Sequence, residues 1–299
     1  MKSDVPLVDL VVKYIWKQKG KKIRPLLVLY SSKIAGEINE RSFRGATLVE
    51  MLHTATLIHD DVVDDAQQRR GFPSINAVWK NKVAVLMGDY LLSRGLMLSV
   101  ENEDFDFLKT ITASVRRMSE GELNQINKTK KLDIDKEAYF KIISDKTASL
   151  LSTCCEIGAR SATEDEEKIS ALRDFGENLG IAFQIKDDIL DYVGTSKITG
   201  KPKGGDIKEK KITLPLIHAL SVAERRESEK IIAKIKKSTK RNNLQDILDF
   251  VEKHGGIEYS YSVAREYANK AKENLDVFEN CEAKEMLLKL VDFVLLRNK

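Results

Sequence analysis

Cysteine is scarce in this chain, and the three present, Cys154, Cys155 and Cys281, have no metal-ligand spacing. An odd, small number excludes a disulfide framework and fits a reducing compartment, with Cys154 and Cys155 read as buried packing residues. Proline (5) and glycine (16) are too few in 299 residues for an extended disordered linker, so long regular elements are expected. No apolar run reaches the ~18 consecutive residues that would span a bilayer. The opening Met1-Lys-Ser-Asp-Val-Pro6 lacks the apolar core of a signal peptide. The expectation is a cytoplasmic protein, with room for peripheral contact with a membrane. An excess of one charge is missing too: 50 Lys plus Arg against 46 Asp plus Glu leaves +4, which argues against nucleic acid as a partner. Alternating strand patterns bounded by hairpin turns, repeats of 20–50 residues and a Walker phosphate loop are all lacking.

What remains is helix after helix in one large domain, residues 1–299. Apolar periodicity predicts helices at 23–35, 42–64, 74–80, 82–99, 104–128, 135–162, 166–193, 212–224, 227–237, 242–253, 256–278 and 282–296. Little helix is expected before Gly20. Two of these helices carry the same acidic pattern, Asp-Asp-x-x-Asp: Asp60, Asp61 and Asp64 in one, Asp187, Asp188 and Asp191 in the other. Residues four apart share a helix face, separated by a rise of about 6 Å. Leu57, Ile58, Val62 and Val63 surround the first cluster, and Ile185, Ile189, Leu190 and Val193 the second. An acidic run on an ordinary solvated face would be interleaved with Lys, Glu or Gln. Like charges held this close in apolar helices call for cations, and carboxylate oxygens suit magnesium. The two clusters are expected on facing helices of one bundle.

Basic residues accompany both clusters. Lys21, Lys22 and Arg24 precede or open a helix whose first turn holds Pro25; Arg69 and Arg70 follow the first cluster; Lys197, Lys201, Lys203, Lys208, Lys210 and Lys211 follow the second. Each run alone is more often a solvated face than a site. Beside the aspartates, however, they fit phosphates bridged by metal: arginine forks match phosphate oxygens, and lysines act as point charges.

These motifs together resemble those of the all-trans polyprenyl diphosphate synthases of the isoprenoid synthase superfamily, long-chain type, over nearly the whole chain. Gly20-Lys-Lys-Ile-Arg-Pro25 is similar to the family's Gly-Lys-Arg-x-Arg-Pro, with Lys22 where arginine is usual. The stretch Glu50 to Asp64 with Arg69-Arg-Gly71, then Gly88-Asp-Tyr-Leu-Leu92, Gly121-Glu-Leu-Asn-Gln125, Lys146-Thr147 and Phe183 to Asp191 also match. So do Gly200-Lys-Pro-Lys-Gly-Gly-Asp206, Lys211-Ile-Thr-Leu-Pro215 and the basic ending Arg297-Asn-Lys299. Lys210 departs from a common glycine.

The resemblance implies an all-α helical bundle around a central active-site cavity, and a homodimer. It also implies repeated addition of isopentenyl diphosphate to an allylic diphosphate such as farnesyl or geranylgeranyl diphosphate. Three magnesium ions are implied with substrate bound, with manganese as a substitute. Asp60, Asp64 and Asp187 would ligate metal, and Asp61, Asp188 and Asp191 would support it or its waters. Arg69, Lys146, Lys201 and Lys211 would hold the allylic diphosphate. Lys21, Arg24, His53 and Arg70 would hold isopentenyl diphosphate, with Arg297 and Lys299 helping to close that site. Thr147 and Gln184 would turn oxygen lone pairs toward the carbocation. His59 is read as structural, because its side chain is expected to face the bundle.

Ala55 and Thr56 lie one helical turn below Asp60, where short-chain relatives place aromatic side chains as a floor. Small residues there predict an open route for chain growth and a long product of about hexaprenyl to octaprenyl length; the resemblance implies delivery of that product to membrane enzymes such as those building quinone side chains. The competing readings are a geranylgeranyl or other shorter-chain synthase, the catalytic subunit of a heteromeric synthase, a non-catalytic partner in such a pair, and a terpene cyclase. The two intact aspartate clusters with Lys21 to Pro25 favour two diphosphate substrates over the cyclase's one.

Overall fold

The computed structural model of the protein describes residues 3–18, 20–69, 71–131, 135–193, 204–237 and 241–297. Apart from a two-residue antiparallel ladder, Gln68–Arg69 with Phe72–Pro73, its regular structure is helical, as the sequence predicts. In chain order the helices are α1 (Pro6–Lys17), α2 (Ile23–Ala35), α3 (Glu40–Val63), α4 (Ile75–Glu101), α5 (Phe105–Lys131), α6 (Lys136–Ile143), α7 (Ser149–Arg160) and α8 (Glu166–Val193), followed by α9 (Gly205–Lys208), α10 (Leu214–Val222), α11 (Arg225–Lys236), α12 (Arg241–Lys253), α13 (Gly256–Glu273) and α14 (Glu282–Leu296). They pack into two compact units, one of residues 1–111 with 157–164, the other of 112–156 with 165–299.

In the first unit α3 is started by a reciprocal cap. The Asn39 side chain accepts from the Ser42 N–H, and Ser42 Oγ accepts from the Asn39 N–H. The helix then runs to Val63 and carries the first aspartate cluster at its end. Helix α1 corrects the expectation of little helix before Gly20. Pro6 suits its first position, and Asp9 and Lys17 suit its two ends. Its valines are weak helix formers in isolation, so packing must hold it. Val11 is fully buried against Ala55 and Ile58 of α3 and Met87 and Leu91 of α4. The Tyr14 hydroxyl donates to the Pro73 carbonyl at 2.7 Å, and its ring meets Trp79 edge-on at 5.0 Å. Helix α4 is apolar enough for a membrane span by length and composition. It nevertheless buries Ala84, Met87 and Leu91 in this core and kinks at Lys80 (φ +71°), between the expected segments 74–80 and 82–99.

In the second unit α8 contributes Ile181, Ile185 and Ile189 to a core shared with Tyr139, Ile143, Leu214 and Val263. A separate cluster joins α10, α11 and α12 through Leu216, Ile231, Ile235, Ile247 and Phe250. The expected continuous helix over 135–162 is corrected here as well. A five-residue π-helical turn, Ser144–Ala148, separates α6 from α7. Such turns are rare and concentrate at functional sites, and this one contains Lys146 and Thr147.

Candidate active site

The first unit holds a basic recess at the start of α2. A cavity of about 330 Å³ is lined by Gly20, Lys21, Lys22, Ile23, Arg24, Glu50 and His53. Arg24 Nη1 lies 2.9 Å from His53 Nε2. Arginine can only donate, so the imidazole accepts there and carries its proton on Nδ1. Lys22, at left-handed φ of +52° before the helix, pairs with Glu50, a partner that the sequence analysis did not single out. Three cationic side chains against one carboxylate leave a recess suited to an anion.

At the end of α3 the first cluster divides by direction. Asp61 is buried and turned onto Arg69, whose Nε and Nη2 lie 2.8 and 2.7 Å from Oδ1. The pair therefore fixes the chain as it leaves the helix. Asp60 is half-buried and Asp64 exposed, and their four-residue spacing keeps them on one face. His59 Nε2 lies 3.3 Å from the Val85 carbonyl and 3.4 Å from Asp89 Oδ1. The ring occupies the space left by Gly88, where a Cβ would come within 2.2 Å of it. This packing fits the structural reading of His59. Thr56 Oγ1 donates to the His53 carbonyl at 2.9 Å. Ala55 is 1% exposed in the cluster with Val11, Met87 and Leu91, so it borders packed aliphatic side chains.

The second unit gathers most of the remaining predicted residues. Lys146, Thr147, Gln184, Asp188 and Lys211 line one partly open pocket of about 110 Å³, together with Gln125, Thr129, Tyr139 and Asp206. Lys146 pairs with Glu122 and donates to Gln125 Oε1 at 3.2 Å. Thr147 Oγ1 donates to Gln184 Oε1 at 2.8 Å. Neighbouring residues on an α-helix diverge by about 100°; the π turn lets Lys146 and Thr147 serve the same pocket. The turn is gripped from both sides. Gly121 passes so close that a Cβ would lie 2.9 Å from Asp145 Cβ, and Arg117 binds Asp145, Ser144 and Glu177 together.

The second cluster also divides by direction. Asp191 accepts from the backbone N–H groups of Gly205 and Asp206 at 3.0 and 3.1 Å, capping α9. Asp188 is fully enclosed, with Tyr139 donating to Oδ2 at 2.6 Å and Gln184 Nε2 to Oδ1 at 2.8 Å. Burial, reinforced by the charge of Asp206, pushes its carboxyl up to about 8 against those hydrogen bonds. Asp187 keeps 43% of its side chain exposed. Arg297, expected to help close the isopentenyl diphosphate site, is seated on Asp187 at 2.6 Å, its guanidinium stacked 3.8 Å over the Phe183 ring. Burial lowers its pKa, with Asp187 opposing. Arg70, Lys201 and Lys299 lie outside the described residues.

Among the described residues no three His, Cys, Asp or Glu side chains converge on one point. Asp60, Asp64 and Asp187 nonetheless suit magnesium by their chemistry. They are hard oxygen donors with exposed surface, and magnesium takes one or two carboxylates while substrate phosphates and water complete its shell. Tyr139, Arg117 and Asp145 carry no mark in the sequence reading, and Glu122 enters it only as part of the Gly121–Gln125 motif. The one available signal is that Tyr139 precedes Lys146 by seven residues, or two helical turns.

Comparison with known proteins identifies the family and the fold. The polyprenyl synthetase family model matches residues 5–251, across both units. A short chain isoprenyl diphosphate synthase of Methanothermobacter thermautotrophicus is 36% identical over 282 residues, 93% of this chain and 86% of that one. An octaprenyl diphosphate synthase of Haemophilus influenzae is 34% identical over 298 residues, 100% and 91%. The crystal structure of a polyprenyl synthase from Caulobacter crescentus, complexed with calcium and isoprenyl diphosphate, superposes with a TM-score of 0.91 at 36% identity, covering 100% and 92%. The chain therefore belongs to the polyprenyl synthetase family of all-trans prenyl diphosphate synthases, in the isoprenoid synthase superfamily.

Proposed function

We propose that the protein is a magnesium-dependent long-chain synthase, which extends an allylic diphosphate with isopentenyl diphosphate to about hexaprenyl or octaprenyl length. The observation that carries the reading is the hydrogen-bonded Thr147–Gln184 pair beside Lys146 in one pocket. Neutral oxygens can stabilise an allylic cation without capturing it, while the adjacent ammonium receives the departing diphosphate.

The reaction breaks the allylic carbon–oxygen bond, joins the resulting cation to the double bond of isopentenyl diphosphate and then loses a proton, for which the released diphosphate is the acceptor. Bound magnesium supplies positive charge to the leaving oxygens, with Asp60, Asp64 and Asp187 as its ligands. Lys146 and Lys211 hold the allylic diphosphate, joined by Arg69 and Lys201. Lys21, Arg24 and His53, with Arg70, hold isopentenyl diphosphate, and the neutral His53 fixes the Arg24 fork by accepting from it. Asp188 and Asp191 orient Gln184 and α9, and Asp61 orients Arg69. The Caulobacter crescentus structure, with calcium and isoprenyl diphosphate, supports a divalent ion and this ligand class. Steady-state turnover of the purified chain with and without a chelator tests the reading. Turnover should vanish without the metal and return with magnesium or manganese; full turnover in excess chelator would contradict it.

One observation favours a shorter product. Ala55 is packed against Val11, Met87 and Leu91, so the level beneath Asp60 is filled with aliphatic side chains, and the Methanothermobacter thermautotrophicus relative is a short chain synthase. Chromatography of the dephosphorylated products separates the two readings. A homodimer is part of the proposal: Val78, Val85, Leu86, Met97 and Val100 of α4 are all 40–58% exposed, an apolar surface that suits a second copy. The proposed location is the cytoplasm, with the product passed to membrane enzymes.

A further inference from the structure

Tyr139 is a buried polar side chain that the proposed reaction does not use. It is 3% exposed, and its hydroxyl donates to Asp188 Oδ2 at 2.6 Å. The other Asp188 oxygen accepts from Gln184 Nε2 at 2.8 Å, and Gln184 Oε1 accepts from Thr147 at 2.8 Å. These hydrogen bonds converge on Asp188 from both sides, and all four side chains line the same pocket.

The glutamine amide is nearly symmetric in shape but not in charge: one end donates, the other accepts. Tyr139 and Gln184 both donate to Asp188, so its two oxygens accept in this arrangement. Held by Asp188, Gln184 must turn its NH2 inward and its carbonyl oxygen toward Thr147. Reversed, the amide would point positive hydrogens where an allylic cation needs lone pairs. Asp188 can enforce the choice only while it keeps its own direction, and Tyr139 occupies its second oxygen.

We infer that Tyr139 is a positioning residue, which through Asp188 fixes the polarity of the Gln184 amide facing the carbocation. The inference rests on the proposed reading that Gln184 and Thr147 face that cation. Without the hydroxyl, one oxygen of a buried carboxyl group loses its partner and the group turns to recover one. The Gln184 orientation is then no longer imposed. The effect falls on the step in which the cation forms, and the diphosphate-binding lysines are untouched.

Tyr139→Phe keeps the ring volume that packs with Ile143 and Ile185, so the fold is expected to persist. Its kcat should fall about tenfold, with the KM for both diphosphates within about twofold of wild type. The share of allylic diphosphate lost to the free alcohol should rise. In a Gln184→Ala background, Tyr139→Phe should change kcat no further. An unchanged kcat in Tyr139→Phe, or the same fold-loss in both backgrounds, overturns the inference. Asp188→Asn is the second variant. Its amide can accept from Tyr139 while presenting NH2 to Gln184, which reverses the glutamine; a kcat loss at least as large supports the inference, and a wild-type kcat overturns it. An inactive wild-type protein contradicts the proposed function and this inference together, whereas an active one unaffected by Tyr139→Phe contradicts this inference alone.

Discussion

At the scale of single residues, the two aspartate clusters assign different tasks to identical side chains. Asp60, Asp64 and Asp187 keep exposed surface, Asp187 beside Arg297, while Asp61, Asp188 and Asp191 are engaged by Arg69, by Tyr139 with Gln184, and by the start of α9. Asp60→Ala or Asp187→Ala should lower kcat by roughly a thousandfold at saturating magnesium, on the scale of losing a main charge-stabilising group; near-normal turnover in either variant contradicts the ligand assignment. Arg24→Ala should raise the KM for isopentenyl diphosphate about tenfold, the scale of one lost charge-assisted contact, and leave the allylic KM unchanged. Equal change in both, measured by steady-state titration, would sink that role. The spacing of the aspartates was legible because four residues on a helix define a face. Which aspartate turns inward came from the family resemblance and not from the spacing, because it depends on Tyr139 and Arg69, partners distant or separated by a turn. Arg297 shows the same limit: its charge was legible, its seat on Asp187 was not.

At the scale of elements, apolar periodicity located most helices to within a few residues, since α2 and α14 each bury one continuous stripe. It missed α1, whose Pro6 and valine-rich sequence is helical only when packed on α3 and α4. It also missed the π turn, because one inserted residue leaves the apolar pattern nearly intact. That turn is wedged by Gly121, and Gly121→Ala would set a methyl 2.9 Å from Asp145 Cβ and 3.1 Å from the Lys146 nitrogen. Overpacking of this kind costs about 1–3 kcal/mol. Moving Lys146 and Thr147 should lower kcat by at least tenfold, measurable alongside the melting temperature; wild-type values for both would show that the turn tolerates displacement. Beneath Asp60 the two small residues should respond differently. Ala55→Phe must displace Val11 or Met87, so it should cost about 1–3 kcal/mol as well as shorten the product. Thr56→Phe, at a half-buried position, should shorten the product with less loss of stability. An unchanged product profile in both variants would remove these positions from control of chain length.

At the scale of the whole molecule, the family and the all-α class were legible in the sequence, because a set of short charged and glycine motifs recurs in fixed order along nearly 300 residues. Product length was not. It depends on how far an apolar chain can run before it meets a large side chain, and the matched relatives include both a short chain and an octaprenyl synthase. Ala55 and Thr56 point to a long product, and the packed cluster around Ala55 points to a shorter one. The most direct test is to incubate the purified chain with magnesium, excess isopentenyl diphosphate and farnesyl or geranylgeranyl diphosphate, then size the dephosphorylated products by reverse-phase chromatography. The account predicts hexaprenyl to octaprenyl alcohols from either primer. A profile that stops at geranylgeraniol from farnesyl diphosphate, with geranylgeranyl diphosphate left unextended, would contradict it.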